Sequence, residues 1–193
     1  MGTRQLNNKH KQRFSKFLSL ILRHKPEEVG LELMENGWVD LDKLINAINS
    51  STKSEYKVDR QLIDEIVAED EKGRYSISED GKLIRANQGH SIENLIMDYK
   101  EVSIEDLPNT LYHGTSVANY NKIIESGAIK PMSRQLVHLS KDIETASKVG
   151  KRHGELVVIE INTESLVNDG HKVFISENGV YLVDEVPVKF IVR

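Results

Sequence analysis

Residues 74–86 read RYSISEDGKLIRA. RYSIS and KLIRA flank the turn EDG, and this arrangement predicts a β-hairpin. Three helices are predicted upstream. Asp59 is placed to cap RQLIDEIVAED, and Asp40 to cap LDKLINAI. Residues 10–24, HKQRFSKFLSLILRH, set Phe14, Phe17, Leu18, Ile21 and Leu22 at helical spacing. Pro26 disfavours helix at Lys25, so this first helix should end near Arg23-His24. Cationic side chains suit that end, where carbonyls are unpaired and the helix dipole is negative. Gly37-Trp38-Val39 reads as a short extended piece.

Three helices followed by a hairpin make a winged-helix pattern, and such a domain alone reads as a nucleic-acid-binding module. Arg85 then ends the second strand of the wing. The expected lobe spans 1–98. Residues 99–110, YKEVSIEDLPNT, are polar with one proline and read as a linker. From 111 to 193 the pattern changes. TLYHGT, QLVHLS, ELVVIEIN, KVFIS, GVYLV and VKFIVR read as strands. Ser116 is placed to cap the helix VANYNKIIES, which should stop at Gly127. DIETASKVG reads as a short helix and ESLVNDG as a helical turn. The expected class is α+β, with a strand-rich second lobe.

A chain of 193 residues, 38% hydrophobic and 29% charged, can bury a core in one larger domain or two small ones. There is no cysteine, which excludes disulfides, thiolate zinc sites and a cysteine nucleophile and fits a reducing compartment. No apolar run is long enough for a membrane span, and MGTRQLNNKHKQRF lacks the apolar core of a secretory signal. A cytoplasmic location and a monomer are expected. The net charge of −4 hides an asymmetry: residues 1–25 hold seven basic residues and no acidic one, while the rest carries a net −11. A basic arm on an acidic body fits local contact with a polyanion.

The seven histidines are His10, His24, His90, His113, His138, His153 and His171. None pair as HExxH, so no metal site is expected. GxSxG, GxxxxGK and GxGxxG are absent, which leaves a serine hydrolase, a P-loop and a Rossmann site without support. What remains is arginine and histidine in unusual places. Arg23-His24 closes an apolar helix, Arg85 ends a strand, His90 follows Gly89, and Arg134 precedes QLVHLS. Guanidinium groups bind phosphate bidentately and stay charged. Histidine adds a donor that titrates. Together they point to phosphate recognition. In YHGT, the small Gly114 would let a ligand approach the backbone, and Thr115 and Ser116 offer hydroxyls at a helix N-terminus. The bland alternative there is a capped strand-to-helix turn.

LRHKPEEVGLELMENGWVDLDKLI, IRANQGHS, LYHGT, RQLVHLS, VGKRHG and SENGVYLVDEVPVKFI occur in this order along the chain. In this respect the sequence resembles the NAD-dependent RNA 2′-phosphotransferases of the KptA type, from about Phe14 to Arg193. The resemblance implies an N-terminal winged-helix lobe that holds RNA and a C-terminal lobe of ADP-ribosyltransferase fold that holds NAD. It implies removal of an internal 2′-phosphate from RNA, the substrate class being tRNA with a splice-junction 2′-phosphate. The phosphate passes to NAD through an ADP-ribosylated RNA 2′-phosphate, with release of nicotinamide and ADP-ribose 1″,2″-cyclic phosphate. The catalytic set it implies is Arg23, His24, Arg85 and Arg134. On the NAD side it implies His113, His138 and Val180, joined by Gly114, Thr115, Ser140, Arg152 and His153. Gln88 and His90 are expected at the substrate phosphate and the junction of the lobes. Better-known ADP-ribosyltransferases carry a glutamate where Val180 stands, to activate an acceptor hydroxyl. An acceptor phosphate needs no such base. The alternative function is an ADP-ribosyltransferase that modifies phosphorylated nucleic-acid ends.

Overall fold

The computed structural model describes residues 8–192. Arg4 of the basic arm and the terminal Arg193 lie outside the described residues. The chain divides into two compact units, Met1–Asp98 and Tyr99–Arg193. Each mixes helix and sheet, so the class is α+β.

The first unit runs α1 (Asn8–Arg23), β1 (Val39–Asp40), α2 (Leu41–Ser50), α3 (Arg60–Ala68), β2 (Tyr75–Ile77) and β3 (Leu83–Ala86). The caps form as the sequence predicts. Asp40 accepts from the Lys43 N–H at 2.8 Å and Asp59 from the Leu62 N–H at 2.9 Å. Each bond satisfies a donor that the helix start leaves unpaired. Past α1, Pro26 opens a 3-10 turn over Pro26–Val29. The 74–86 stretch forms its hairpin, and β3 pairs antiparallel with β2 and with β1, giving the order β1-β3-β2. The apolar stripe of α1 (Phe14, Leu18, Ile21, Leu22) is fully buried, in one core with Leu41, Leu44, Ile63 and Ile84. Phe14, Phe17 and Tyr56 stack at its edge with centroids 5.1–6.5 Å apart. The Tyr75 hydroxyl donates to the Ser15 carbonyl at 2.6 Å and thereby ties the hairpin to α1.

The second unit contains β4 (Lys100–Glu101), β5 (Thr110–Ser116), α4 (Val117–Ser126), β6 (Ala128–Ile129), β7 (Val137–Leu139) and α5 (Ile143–Gly150). It continues with β8 (Leu156–Asn162), α6 (Thr163–Asn168), β9 (Phe174–Ile175), β10 (Tyr181–Val183) and β11 (Val186–Pro187). The sheet order is β4-β9-β10-β7, with β5 paired to β8 and β11 to β6. A bridge between Tyr112 and Ser140 joins β5 to the end of β7. Leu111, Val137, Leu139, Ile159, Ile161 and Val183 are all buried in its core.

Two expectations change. The stretch 99–110 carries β4, which pairs with β9, and a 3-10 turn at Ile104–Asp106. Leu107 is buried in the second core, so this segment is packed structure of that unit rather than a polar linker. VKFIVR is not a strand. Val186–Pro187 pairs with β6, Val188–Phe190 turns as 3-10 helix, and a single bridge joins Ile191 to Ile161. Pro187 has no N–H to continue a ladder, and the turn sends Phe190 into the core.

Candidate functional site

In the first unit the chain end of α1, the turn before β1 and the end of β3 meet. Arg23 is buried at the last residue of α1. His24 Nδ1 lies 2.8 Å from Ser91 Oγ, and the Ser91 N–H donates to the Arg23 carbonyl at 2.9 Å. These two bonds clamp IRANQGHS to the end of α1. Arg85 is placed by register. Val39 faces Ile84 across the β1–β3 pair, so the next positions outward are Trp38 and Arg85. The Arg85 guanidinium accordingly lies over the Trp38 ring, 4.5 Å from its centroid. The ring face attracts the cation and fixes its direction.

His90 sits deep in this cluster at 1% exposure, and neither ring nitrogen has a hydrogen-bond partner. Burial first, then the charges of Arg23, His24 and Arg85, push its pKa down to about 4. It is therefore a neutral imidazole among cations. Gly37 is packed against it: a Cβ there would meet His90 Nε2 at 3.0 Å, and φ is +72°. Gln88 is buried in the same turn, with its Oε1 unpartnered. Arg23, His24, Arg85 and His90 thus come together, while Arg134 lies in the second unit. Trp38 and Ser91 complete the group, and sequence reasoning assigned neither a role. No local signal marked Trp38: its role follows from the pairing of β1 with the strand bearing Arg85.

In the second unit a chain of hydrogen bonds joins Arg134, His138 and His113. Arg134 Nη1 lies 2.7 Å from His138 Nδ1. A guanidinium only donates, so His138 accepts at Nδ1 and carries its proton on Nε2. His113 Nδ1 lies 3.1 Å from the His138 carbonyl, which can only accept. His113 therefore donates from Nδ1 and presents Nε2 as an acceptor. Burial lowers the His113 pKa, with the His138 carbonyl opposing and His153 adding to the shift. Burial also lowers the Arg134 pKa.

Gly114 also has a packing reason to be glycine. A Cβ at that position would lie 1.7 Å from the Ala146 carbonyl oxygen, so glycine is needed where α5 crosses β5. Gly150 answers it, with a Cβ there 2.8 Å from the Thr115 nitrogen. Ser116 acts as a cap, accepting from the Asn119 N–H at 3.3 Å. Thr115 is buried in β5, opposite Val157. Ser140 is tied to Tyr112 by two backbone bonds of 2.8 Å. Arg152 and His153 are exposed in the 3-10 turn after α5. Val180 precedes β10, and the β7–β10 register continues to place it opposite Ser140. Its backbone closes the Ser176–Val180 turn. Among the described residues no group of three or more His, Asp or Glu is arranged to hold a metal ion. No helix there is long and apolar enough to cross a membrane.

The family model of the RNA 2′-phosphotransferase, Tpt1 / KptA family matches residues 9–185. Among similar proteins is a "Probable RNA 2′-phosphotransferase" of Fusobacterium nucleatum, 47% identical over 180 residues, covering 93% of this chain and 96% of that protein. Proteins of the same name are 44% identical in Flavobacterium johnsoniae and 39% identical in Pseudomonas syringae. They cover 96% and 97% of this chain, and 98% and 97% of their own lengths. With a cluster of arginine and histidine in each unit and a match over nearly its full length, this chain belongs to the RNA 2′-phosphotransferase, Tpt1 / KptA family.

Proposed function

We propose that this protein removes a 2′-phosphate from RNA and transfers it to NAD. The observation that carries the reading is the first unit's cluster, where Arg23, His24 and Arg85 surround a neutral His90. Such a concentration of cations is costly unless an anion joins it, and a phosphate offers enough oxygens for all of them. In this reading the first unit is a winged helix that holds the RNA 2′-phosphate, and the second, of ADP-ribosyltransferase type, holds NAD.

The donor and acceptor set of the second unit suits a dinucleotide. His113 offers an acceptor at Nε2, and His138, oriented by Arg134, carries a proton on Nε2. Thr115, Ser140, Arg152 and His153 stand on the adjoining strand ends and turn. The RNA 2′-phosphate attacks the anomeric carbon of the nicotinamide ribose, and nicotinamide leaves. This nucleophile is already an anion and needs positioning more than a base, which agrees with Val180. The ribose 2″-hydroxyl then attacks phosphorus, and the RNA 2′-oxygen departs with a proton. Charge grows on the phosphoryl oxygens, where arginine guanidinium groups such as those of Arg23 and Arg85 stabilise it. His24, oriented by Ser91, donates to the phosphate or moves that proton.

The test uses a short RNA with one internal 2′-phosphate, incubated with and without NAD and read by mass spectrometry. Dephosphorylated RNA and ADP-ribose cyclic phosphate should appear only with NAD. ADP-ribose left stably on the RNA would instead mean a modifying enzyme that stops after the first step.

A further inference from the structure

Helix α1 carries a basic stripe that the chemistry above does not use. At about 100° per residue, Lys9, Arg13, Lys16 and Leu20 fall within roughly 60° of one another, and Arg23 and His24 flank that line at its end. The opposite face holds Phe14, Leu18, Ile21 and Leu22, all at 0% exposure in the core. Lys9, Arg13 and Lys16 are exposed, and among the described residues none of them joins an ion pair. Lys11, on the inner side, is by contrast held by Glu65 at 3.0 Å and Glu69 at 2.7 Å. Glu65 and Glu69 are thus engaged away from the stripe.

A second observation points the same way. The first turn of α1 contains no acidic residue. A helix N-terminus favours negative side chains, so the exposed Lys9 works against the stability of this helix. Among the other helices α2, α5 and α6 place an acid in their first turn, and α3 and α4 do not. The stripe runs about 21 Å from Lys9 to Arg23, at about 1.5 Å per residue. That is the reach of several nucleotides of extended strand.

We propose that this face of α1 holds the phosphodiester backbone of the RNA strand flanking the 2′-phosphate. Lys9, Arg13 and Lys16 meet backbone phosphates, and Arg23-His24 stand at the reacting end. Such contacts fix position and register without reading base identity, so the surface takes single-stranded RNA of any sequence that is long enough. The inference rests on the function proposed above.

The test compares the parent with a Lys9→Gln, Arg13→Gln, Lys16→Gln triple variant, whose three side chains are all exposed. A 2′-phosphorylated dinucleotide and a longer RNA with one internal 2′-phosphate serve as substrates, each with NAD. The parent should favour the longer RNA, and the variant should lose at least about tenfold of that preference in kcat/KM. The slope of log kcat/KM against log salt on the longer RNA should shrink by about 2, near 0.7 for each of the lost contacts. A variant that keeps the parent's length preference and salt slope overturns the proposal. Fluorescence anisotropy with the longer RNA lacking a 2′-phosphate separates the two readings. If the parent removes no phosphate from either RNA, the proposed function fails, and anisotropy alone then decides the surface. Equal affinities sink it, and weaker binding by the variant sustains it.

Discussion

Arg85 shows how one cross-strand neighbour decides what a side chain can do. Sequence placed it at the end of a strand, and the register adds an indole beneath its guanidinium. Arg85→Ala should lower 2′-phosphate removal by at least about 100-fold, with a melting temperature close to the parent's. Normal turnover by that variant would remove Arg85 from the reaction. Trp38→Leu should lower kcat/KM for the RNA by about 3- to 30-fold, the worth of a partly desolvated cation–π contact. Trp38→Phe should recover part of the loss, since a ring face returns, while KM for NAD stays at the parent value in both. His90 supplies a pH dependence. Its pKa is about 4 in the fold and about 6.5 when unfolded. As pH falls below about 6.5 the unfolded chain takes up a proton that the folded chain refuses, so stability drops until about pH 4, by up to about 3 kcal/mol. The groups acting on it are Arg23 and His24 at the end of α1 and Arg85 on β3. Urea unfolding from pH 7 to 4 should show this loss in the parent and a smaller one in His90→Asn.

Among the elements, those with local signals were legible. Asp40, Asp59 and Ser116 cap their helices where a side-chain oxygen precedes an apolar period. The hairpin forms because its turn and its two strands are adjacent in sequence. Elements defined by distant partners were not. β4 exists because β9, more than seventy residues later, accepts it as an edge strand. VKFIVR reads as a strand by composition, yet its backbone turns because Phe190 is buried after Pro187. The tight crossing of α5 on β5 was likewise hidden, since nothing near Gly114 announces Ala146. Gly114→Ala should force the helix and strand apart and cost about 3 kcal/mol. Thermal unfolding would show a fall of roughly 6–12 °C, and an unchanged melting temperature would mean that the crossing yields freely.

On the scale of the whole molecule, two units have two cores, and the proposed function gives each its own chemistry. The division of labour predicts separable defects. His113→Ala should raise KM for NAD at least about tenfold, as loss of a hydrogen bond in a buried site does, and leave the affinity for RNA unchanged by anisotropy. Arg23→Ala should weaken binding of 2′-phosphorylated RNA and leave NAD affinity intact. Matching losses of both affinities in either variant would contradict the division. By itself the sequence determined the helix starts, the hairpin, the change of pattern past residue 110 and the identity of the arginines and histidines. These depend on neighbours within a few residues, or on side-chain chemistry that no fold alters. Only the tertiary structure decided that Trp38 supports Arg85, that His90 is neutral beside the Arg23 and Arg85 cations, and that Arg134 fixes the proton of His138. Each of these depends on the distance and burial of groups the chain brings together by folding, and neither quantity is written in the order of residues.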